Sequence, residues 1–218
     1  MKILDQTNIL SNYWNELFPN PVTELKFSNN FELLVAVILS AQCTDKRVNA
    51  ITEKLFKKYN TPEQFAELNQ TELENQIYSC GFYRNKAKNI ITASREIVGN
   101  YNGQVPNKID ELEKLAGVGH KTAGVVYAVG FGGIAFPVDT HIFRVSNRLG
   151  ISNSKNVKEC EEDLKNFFDK SAWNKVHHQI VLFGRYYCKA RSPECEICKL
   201  KKICNYYKNK VENEKDII

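Results

Sequence analysis

The sequence lacks the features that define several classes of protein. Its longest uninterrupted apolar run covers residues 33–39, whereas a helix needs about 20 apolar residues to span a bilayer. The segment from Met1 to Asp5 does not begin the long apolar core of a signal peptide. Internal repeats and low-complexity segments are also missing. We therefore expect a globular, cytosolic protein, because the composition is ordinary for that class.

Signals for β-structure are missing as well. No segment alternates cleanly between apolar and polar residues, and no tight turn joins two β-branched runs. Apolar residues instead recur at three- and four-residue spacing, which predicts an all-α fold. Thr61 to Gln64 has the pattern of a capping box with proline at the first helical position. Thr71 begins a second capping box, whose helix we expect Gly81 to close. The predicted helices cover residues 8–17, 30–40, 45–58, 62–69, 72–79, 84–99, 109–115, 121–131, 140–149, 157–168 and 173–187.

Positive charge and cysteine are concentrated in one segment. The chain has 30 Lys and Arg against 25 Asp and Glu, a net charge of +5. Residues 185–210 alone carry eight basic and two acidic residues, a local net charge of +6. Four of the seven cysteines lie in this segment, and an odd total argues against a disulfide framework. The other three, Cys43, Cys80 and Cys160, lie far apart in the sequence and are interpreted as free, mostly buried thiols.

The four clustered cysteines have the spacing of a metal centre. They lie within 17 residues and include one C-x2-C pair, which supplies the usual chelating geometry. A zinc ion with four thiolates and a four-iron cluster both agree with this donor set, and the spacing matches neither common pattern closely. The segment is therefore interpreted as a liganded structure that contacts an anionic partner. The four residues are Cys188, Cys195, Cys198 and Cys204.

A glycine turn between two predicted helices is the first candidate for chemistry. The first helix is expected to end at Leu115, and Gly117 and Gly119 allow a tight turn whose backbone can approach a ligand closely. The amide groups of such a turn and of the next helix bind phosphate without reading base sequence. Lys121 follows at the start of the second helix, where the helix dipole disfavours an ammonium group and favours a neutral, nucleophilic amine.

A carboxylate that precedes a further predicted helix is the second candidate. Asp139 follows an apolar, proline-containing segment. One interpretation is an ordinary N-cap residue. The other is a catalytic carboxylate that stabilises positive charge, positions water or takes a proton from an attacking amine.

These motifs occur in an order that resembles the endonuclease III family of DNA base-excision glycosylases. The resemblance extends from about residue 15 to residue 207, nearly the whole chain. It is very specific because several moderately specific segments occur together in the family order. Besides the cysteine motif, the segments are 39–45 (LSAQCTD), 81–87 (GFYRNKA), 112–123 (LEKLAGVGHKTA), 138–141 (VDTH) and 177–185 (HHQIVLFGR).

The resemblance implies two helical lobes with a cleft between them. Residues 22–133 would form a six-helix bundle that contains the helix-hairpin-helix motif near 109–131. Residues 1–21 and 134–218 would form the second lobe, which holds a [4Fe–4S] cluster on the four clustered cysteines. In the family the cluster is mainly structural and orders a basic loop that binds DNA.

The resemblance also implies a bifunctional glycosylase and AP lyase for oxidised pyrimidines. Lys121 matches the family nucleophile, which attacks C1′ of the sugar and forms a Schiff base before β-elimination. Asp139 matches the catalytic carboxylate, and Gln42 matches the residue that fills the gap left by the flipped base. Phe82 lies where relatives usually insert a leucine, so an aromatic wedge is expected there. The expected DNA contacts are Gln42, Phe82, Gly117, Gly119, His141, Lys189 and Arg191.

The expected partner is double-stranded DNA with damaged bases or abasic sites, bound by a monomer that associates with the nucleoid and not with a membrane. Related adenine-mismatch glycosylases usually lack a lysine at this turn, so Lys121 favours the oxidised-pyrimidine branch. Two other hypotheses stay open at this stage. The chain could be a non-catalytic DNA-binding module with a zinc site, or an iron–sulfur redox sensor that binds DNA.

Overall fold

The computed structural model describes residues 3–215 and, for side chains, residues 4–211. Within this described part, the chain forms helices and no β-strand, which confirms the predicted all-α class. No helix in the same range is long and apolar enough to span a membrane. A 3₁₀ turn, Lys170–Ala172, precedes the eleventh helix. The helices are α1 Ile3–Leu17, α2 Asn30–Ser40, α3 Asp45–Leu55, α4 Pro62–Glu67, α5 Gln70–Ile77, α6 Tyr83–Tyr101, α7 Ile109–Leu112, α8 His120–Phe131, α9 Thr140–Leu149, α10 Val157–Phe167, α11 Trp173–Tyr186 and α12 Asn205–Lys215.

Side-chain caps determine where several helices begin. The predicted capping box of α4 is present, because Thr61 and Gln64 each bond to the other's backbone amide. The second predicted capping box is wrong. Asn69 caps α5, and its Oδ1 accepts a hydrogen bond from the Thr71 amide at 2.9 Å. Gly81 does not close α5 either, because that helix ends at Ile77 and its C-cap is the next residue.

The chain divides into two compact units, each with its own apolar core. One unit is Thr23–Ala135 and contains α2 to α8. Its bounds differ by one and two residues from the expected lobe of residues 22–133. The apolar run of the sequence lies in α2, where every residue from Phe31 to Leu39 is buried. The run is therefore a central core helix, which explains why it is apolar on all sides.

The second unit is formed by the described residues up to Val22 and from Phe136 onward. Its core contains Trp14 of α1, which is fully buried and packs against Phe183 at 6.2 Å between ring centroids. Phe136 and Phe168 stack at 6.2 Å in the same core. Burial of such a side chain contributes roughly 2–3 kcal/mol, so aromatic packing joins α1 to the C-terminal part of the chain.

Helix α12 was not among the predicted helices. Its sequence is polar and lacks an apolar stripe, so periodicity gives little signal. Contacts with α9 hold it in place instead. The guanidinium of Arg148 lies 4.4 Å from the ring centroid of Tyr206, and the Arg148 carbonyl accepts a hydrogen bond from the Cys204 thiol at 3.3 Å.

Candidate active site

The predicted helix-hairpin-helix is present in the first unit. Helix α7 ends at Leu112, three residues earlier than predicted, and α8 begins at His120. The early end has a tertiary cause, because the Ala116 amide donates to the Glu96 carboxylate at 2.8 Å. Buried Leu115 holds the turn against the core. The hairpin therefore consists of one helical turn, a glycine turn and a three-turn helix.

The two glycines of the turn have different physical roles. Gly117 has a φ of 76°, and a Cβ atom there would lie 2.7 Å from the Cβ of Asn89. Gly119 is the N-cap residue of α8, and a Cβ there would meet nothing within 4 Å. Gly117 is therefore required for the turn itself, whereas Gly119 leaves the N-terminus of α8 open to a bulky ligand. Such a helix terminus binds phosphate.

Lys121 occupies the second position of α8. Its side chain is exposed, whereas Ala123 and Val126 of the same helix face the core. The preceding His120 lies with its Nδ1 2.6 Å from the Glu113 carboxylate, which fastens the start of α8 to the turn. The amine of Lys121 is therefore accessible at the positive end of a rigidly held helix.

Asp139 lies in the second unit, at the start of α9. Its Oδ1 accepts hydrogen bonds from the amides of His141 and Ile142 at 2.9 and 2.8 Å. Its Oδ2 lies 3.3 Å from Nδ1 of His141. The side chain keeps 18% of its surface exposed. The N-cap interpretation of Asp139 is thus confirmed, and the same carboxylate is held in a fixed orientation with part of its surface accessible.

The structure places the four clustered cysteines around one cavity. The volume of this cavity that contains no protein atoms is about 380 Å³, and this figure includes the part of the cavity that is open to solvent. Leu149, Phe183 and Tyr187 supply apolar walls. Among the described residues, no three Cys, His, Asp or Glu side chains are close enough together to hold a single metal ion. The cysteines that line the cavity are Cys188, Cys195, Cys198 and Cys204.

Three of the four thiols of this cavity have raised pKa values, which favours their neutral form when no cation is present. Burial raises the pKa of Cys198 to about 11, and the neighbouring thiols of Cys204 and Cys188 add to the shift. Burial likewise raises the pKa values of Cys195 and Cys204. A metal centre that binds these sulfur atoms would therefore displace protons from them.

Two arginines that the sequence analysis missed hold the segment between the first two cysteines. Arg144 donates from Nε to the Cys188 carbonyl at 3.1 Å. Arg148 donates from its two terminal nitrogens to the carbonyls of Lys189 and Ala190, at 2.7 and 3.1 Å. The two arginines are four residues apart on α9, a spacing that places both on one helix face. This four-residue spacing was the only feature of the sequence that could have indicated a shared role for the two arginines.

The expected basic contacts of this segment are both exposed. The Nζ of Lys189 lies 2.6 Å from the Glu194 carboxylate, so an acidic neighbour offsets part of its charge. Arg191 lies at the tip of the same segment, before Ser192, which has a left-handed φ of 49°. The segment therefore forms a tight turn that presents Arg191 to solvent.

The two expected base-contacting residues lie on neighbouring loops of the first unit. Gln42 and Phe82 are exposed, and both have left-handed backbones, with φ values of 53° and 57°. A Cβ atom at Gly81 would lie 3.5 Å from the carbonyl oxygen of Gln42, so the loops are in direct contact. The structure thus brings together two residues that are 40 positions apart, and both have unusual backbone conformations.

The site residues are divided between the units. Lys121, Gln42 and Phe82 belong to Thr23–Ala135, whereas Asp139 and the cysteine cavity belong to the other unit. Each group is ordered by contacts within its own unit.

Comparison with known proteins identifies the class that these features define. The model of the HhH-GPD superfamily base excision DNA repair proteins matches residues 35–170. Endonuclease III of Bacillus subtilis is 51% identical over 190 residues, which cover 87% of each chain. Endonuclease III of Escherichia coli K12 is 45% identical over 194 residues, which cover 89% of this chain and 92% of the relative. The chain belongs to the HhH-GPD superfamily and, within it, to the endonuclease III family.

Solved structures agree with this assignment. A trapped endonuclease III–DNA covalent intermediate has a TM-score of 0.92 and 45% identity, with 97% of this chain and 99% of that chain covered. A thermostable thymine-DNA glycosylase has a TM-score of 0.80 and 25% identity, over 94% of this chain and 96% of that one. The backbone of the family is therefore preserved along nearly the whole chain.

Proposed function

We propose that this protein is a bifunctional DNA glycosylase and AP lyase that removes oxidised pyrimidines in base-excision repair. One observation carries the proposal: an exposed lysine, Lys121, occupies the open N-terminus of α8 in a family of base excision repair proteins. A related endonuclease III forms a trapped covalent intermediate with DNA. An amine nucleophile is the side-chain type that forms such an intermediate with a sugar aldehyde carbon.

The chemistry begins with a damaged nucleotide that has left the base stack, because an enzyme side chain cannot reach C1′ inside a duplex. The neutral amine of Lys121 attacks C1′, and the bond to the base breaks with its electron pair remaining on the base. The sugar ring opens as the nitrogen loses a proton, which leaves a Schiff base between Nζ and C1′. Removal of a C2′ proton then expels the 3′ phosphate and breaks the strand by β-elimination.

Asp139 supplies the negative charge that this sequence of steps needs. A carboxylate stabilises the positive sugar as the base departs and can accept the proton that the attacking amine loses. Its bonds to the amides of His141 and Ile142 keep it oriented without using the whole carboxylate surface. His141 bonds to Asp139 through one ring nitrogen, so we assign the other ring nitrogen to a phosphate contact.

DNA binding is assigned to surfaces on both units. Gly117 and Gly119 allow the phosphate backbone to approach the hairpin amides, and this contact does not depend on base sequence. Gln42 and Phe82 would occupy the space beside the flipped nucleotide, with the Phe82 ring, which is 67% exposed, as the wedge. Lys189 and Arg191 would bind phosphates from the basic segment. The protein would act on double-stranded DNA as a monomer in the cytoplasm, at the nucleoid.

The cysteine cavity fits a [4Fe–4S] cluster. Four cysteines line this one cavity together with apolar walls, and four thiolates are the donor set that such a cluster requires. Cys188, Cys195, Cys198 and Cys204 would each bind one iron through a thiolate. When bound, the cluster supplies no step of the DNA chemistry and cross-links the segment that carries Lys189 and Arg191. Arg144 and Arg148 hold the same segment from α9.

The cluster assignment predicts a visible absorption spectrum and a specific loss on mutation. Purified protein should be brown and contain about four irons per chain. Cys198→Ser should lose the colour and most of the iron, because Cys198 is one of the four cysteines that line the cavity. Cys160→Ser removes a buried thiol outside the cavity, so this variant should retain the colour and the iron. Iron-free, colourless native protein that contains zinc would overturn the assignment.

The function itself predicts a covalent adduct that depends on the lesion. Wild-type protein should be incubated with borohydride and duplexes that contain thymine glycol, an abasic site, a pyrimidine dimer or no lesion. We expect rapid trapping with thymine glycol and the abasic site, and none with undamaged DNA. Tight binding to every duplex with neither base release nor trapping would contradict the proposal and favour a non-catalytic DNA-binding module.

A further inference from the structure

Two cysteines outside the cavity lie side by side in the first unit. The Sγ atoms of Cys43 and Cys80 are 3.6 Å apart, although 37 residues separate them in the sequence. The prediction that both are free thiols is therefore confirmed, and the fold in addition brings the two together as a pair. Both are free cysteines, and neither lines the cavity of the four clustered thiols.

The pair lies beneath the two loops that carry the expected base contacts. Cys43 directly follows Gln42, and Cys80 precedes Phe82 by two residues. Direct contact between the loops is also seen at the backbone, where Gly81 approaches the Gln42 carbonyl. A bond between the sulfur atoms would therefore connect the two loops. It would lie next to Gln42 and Phe82, which both have left-handed backbone conformations.

A buried lysine lies next to both thiols. Lys86 is 6% exposed, and its Nζ donates to the carbonyls of Leu39 and Ala41 at 2.8 and 2.6 Å. Burial raises the pKa of Cys80 to about 12, and the positive charge of Lys86 opposes that rise. Cys80 is 1% exposed, whereas Cys43 is half-buried, so a reagent from solvent can reach Cys43 first.

We propose that Cys43 and Cys80 are a modification site that a small-molecule disulfide converts into a reversible intramolecular disulfide. The Cys43 thiolate attacks the reagent, forms a mixed disulfide and releases one thiolate. The sulfur of Cys80 then attacks the Cys43 sulfur and releases the second thiolate. The two cysteine protons end on the two released thiolates, so one disulfide is reduced and one is formed. A dithiol reverses the exchange.

The new bond must change the geometry of the loops. A disulfide requires sulfur atoms about 2.05 Å apart, so the present separation has to shorten by roughly 1.5 Å. Because the loops meet directly above the pair, this movement displaces the backbone of Gln42 and Phe82. Given the proposed function, the oxidised protein should bind an abasic-site duplex more weakly than the reduced protein, and a dithiol should restore the binding.

Thiol counting tests the bond without reference to DNA. Intact protein with its metal centre is treated with oxidised glutathione, then denatured with an iron chelator and alkylated. We expect five alkylated thiols after oxidation and seven before it, with one peptide pair that joins Cys43 to Cys80. Cys160→Ala removes the remaining thiol outside the cavity and should still form the bond. Cys43→Ser, a mild change at a half-buried position, should not form it.

Binding to a duplex with a tetrahydrofuran abasic-site analogue tests the consequence, because this analogue cannot form a Schiff base. We expect the Kd to rise by roughly tenfold on oxidation, because the displaced side chains of Gln42 and Phe82 would no longer fit the kinked duplex. The Kd of the Cys43→Ser variant should not change when the protein is treated with oxidised glutathione.

Three results would contradict parts of this proposal. Seven alkylated thiols after oxidation, or a glutathione adduct that stops at Cys43, would overturn the proposed site. Formation of the disulfide without a change in Kd would overturn the proposed effect of the disulfide on DNA binding. Absence of binding by the reduced protein would instead contradict the proposed function and leave the bond intact.

Discussion

Lys121→Ala is expected to abolish the borohydride adduct and to slow strand cleavage at an abasic site by about three orders of magnitude or more. The loss follows from the mechanism, because no Schiff base can form without the amine. Stability should change by less than about 0.5 kcal/mol, since the side chain is exposed. The measurement is single-turnover cleavage and trapping, with the free energy of unfolding determined on the same preparations.

Lys114→Ala provides a matched control for charge. Lys114 is another exposed lysine of the hairpin region, located before the glycine turn and not at the start of α8. Its removal subtracts the same charge from the surface and should lower DNA affinity only slightly, with trapping unchanged. If Lys121→Ala still forms the adduct at the wild-type rate, another amine is the nucleophile. Equal losses in both variants would mean that positive charge, not covalent chemistry, explains the effect.

Two helix caps that depend only on local sequence were predicted correctly. The capping box at Thr61 and the N-cap at Asp139 depend on side chains within three residues of the amides they bind. The helix predicted over residues 30–40 is confirmed as α2, and the structure shows that its apolar run is buried on every side. Local caps and apolar periodicity are short-range properties, so they can be read without knowing the fold.

Tertiary contacts account for the errors at α7 and α12, whereas the capping box expected at Thr71 was wrong for a local reason, because Asn69 caps α5 instead. Helix α7 ends early because the carboxylate of Glu96 in α6 binds the amide of Ala116, which lies 20 residues further along the chain. Helix α12 forms because Arg148 of α9 contacts Tyr206 and the preceding Cys204, although the helix sequence has no apolar stripe. In each case the decisive partner lies at least 20 residues away, and no periodicity or spacing rule connects the two positions.

The candidate site shows the same division. Its motifs could be found because glycines, cysteines and Lys121 have fixed local spacings. The pairing of Cys43 with Cys80 could not be found, because two single cysteines 37 residues apart carry no ligand pattern. The roles of Arg144 and Arg148 were missed for a related reason. Their partners are backbone carbonyls of another segment. Because every residue has a backbone carbonyl, the sequence does not show which of them accepts a hydrogen bond.

Asp139→Asn is expected to reduce base release by about 10²–10⁴-fold while leaving stability nearly unchanged. Asparagine keeps an oxygen that can accept from the amides of His141 and Ile142, so the cap of α9 survives. The negative charge is lost, and with it the stabilisation of the cationic sugar. DNA binding should remain, because Asp139 itself is assigned no phosphate contact. Single-turnover base release and thermal unfolding of the same protein provide the two measurements.

Two further variants separate the structural role of Asp139 from its chemical role. Asp139→Ala removes both the cap and the charge, so it should lose the same activity and also about 1 kcal/mol of stability. Asn156→Ala removes a cap of the same kind from α10, where Asn156 accepts from the Glu159 amide at 2.9 Å. This control should lose similar stability and keep full activity. If Asp139→Asn is fully active, or if Asn156→Ala loses activity in proportion to its stability, then Asp139 acts only as a helix cap and the carboxylate assignment fails.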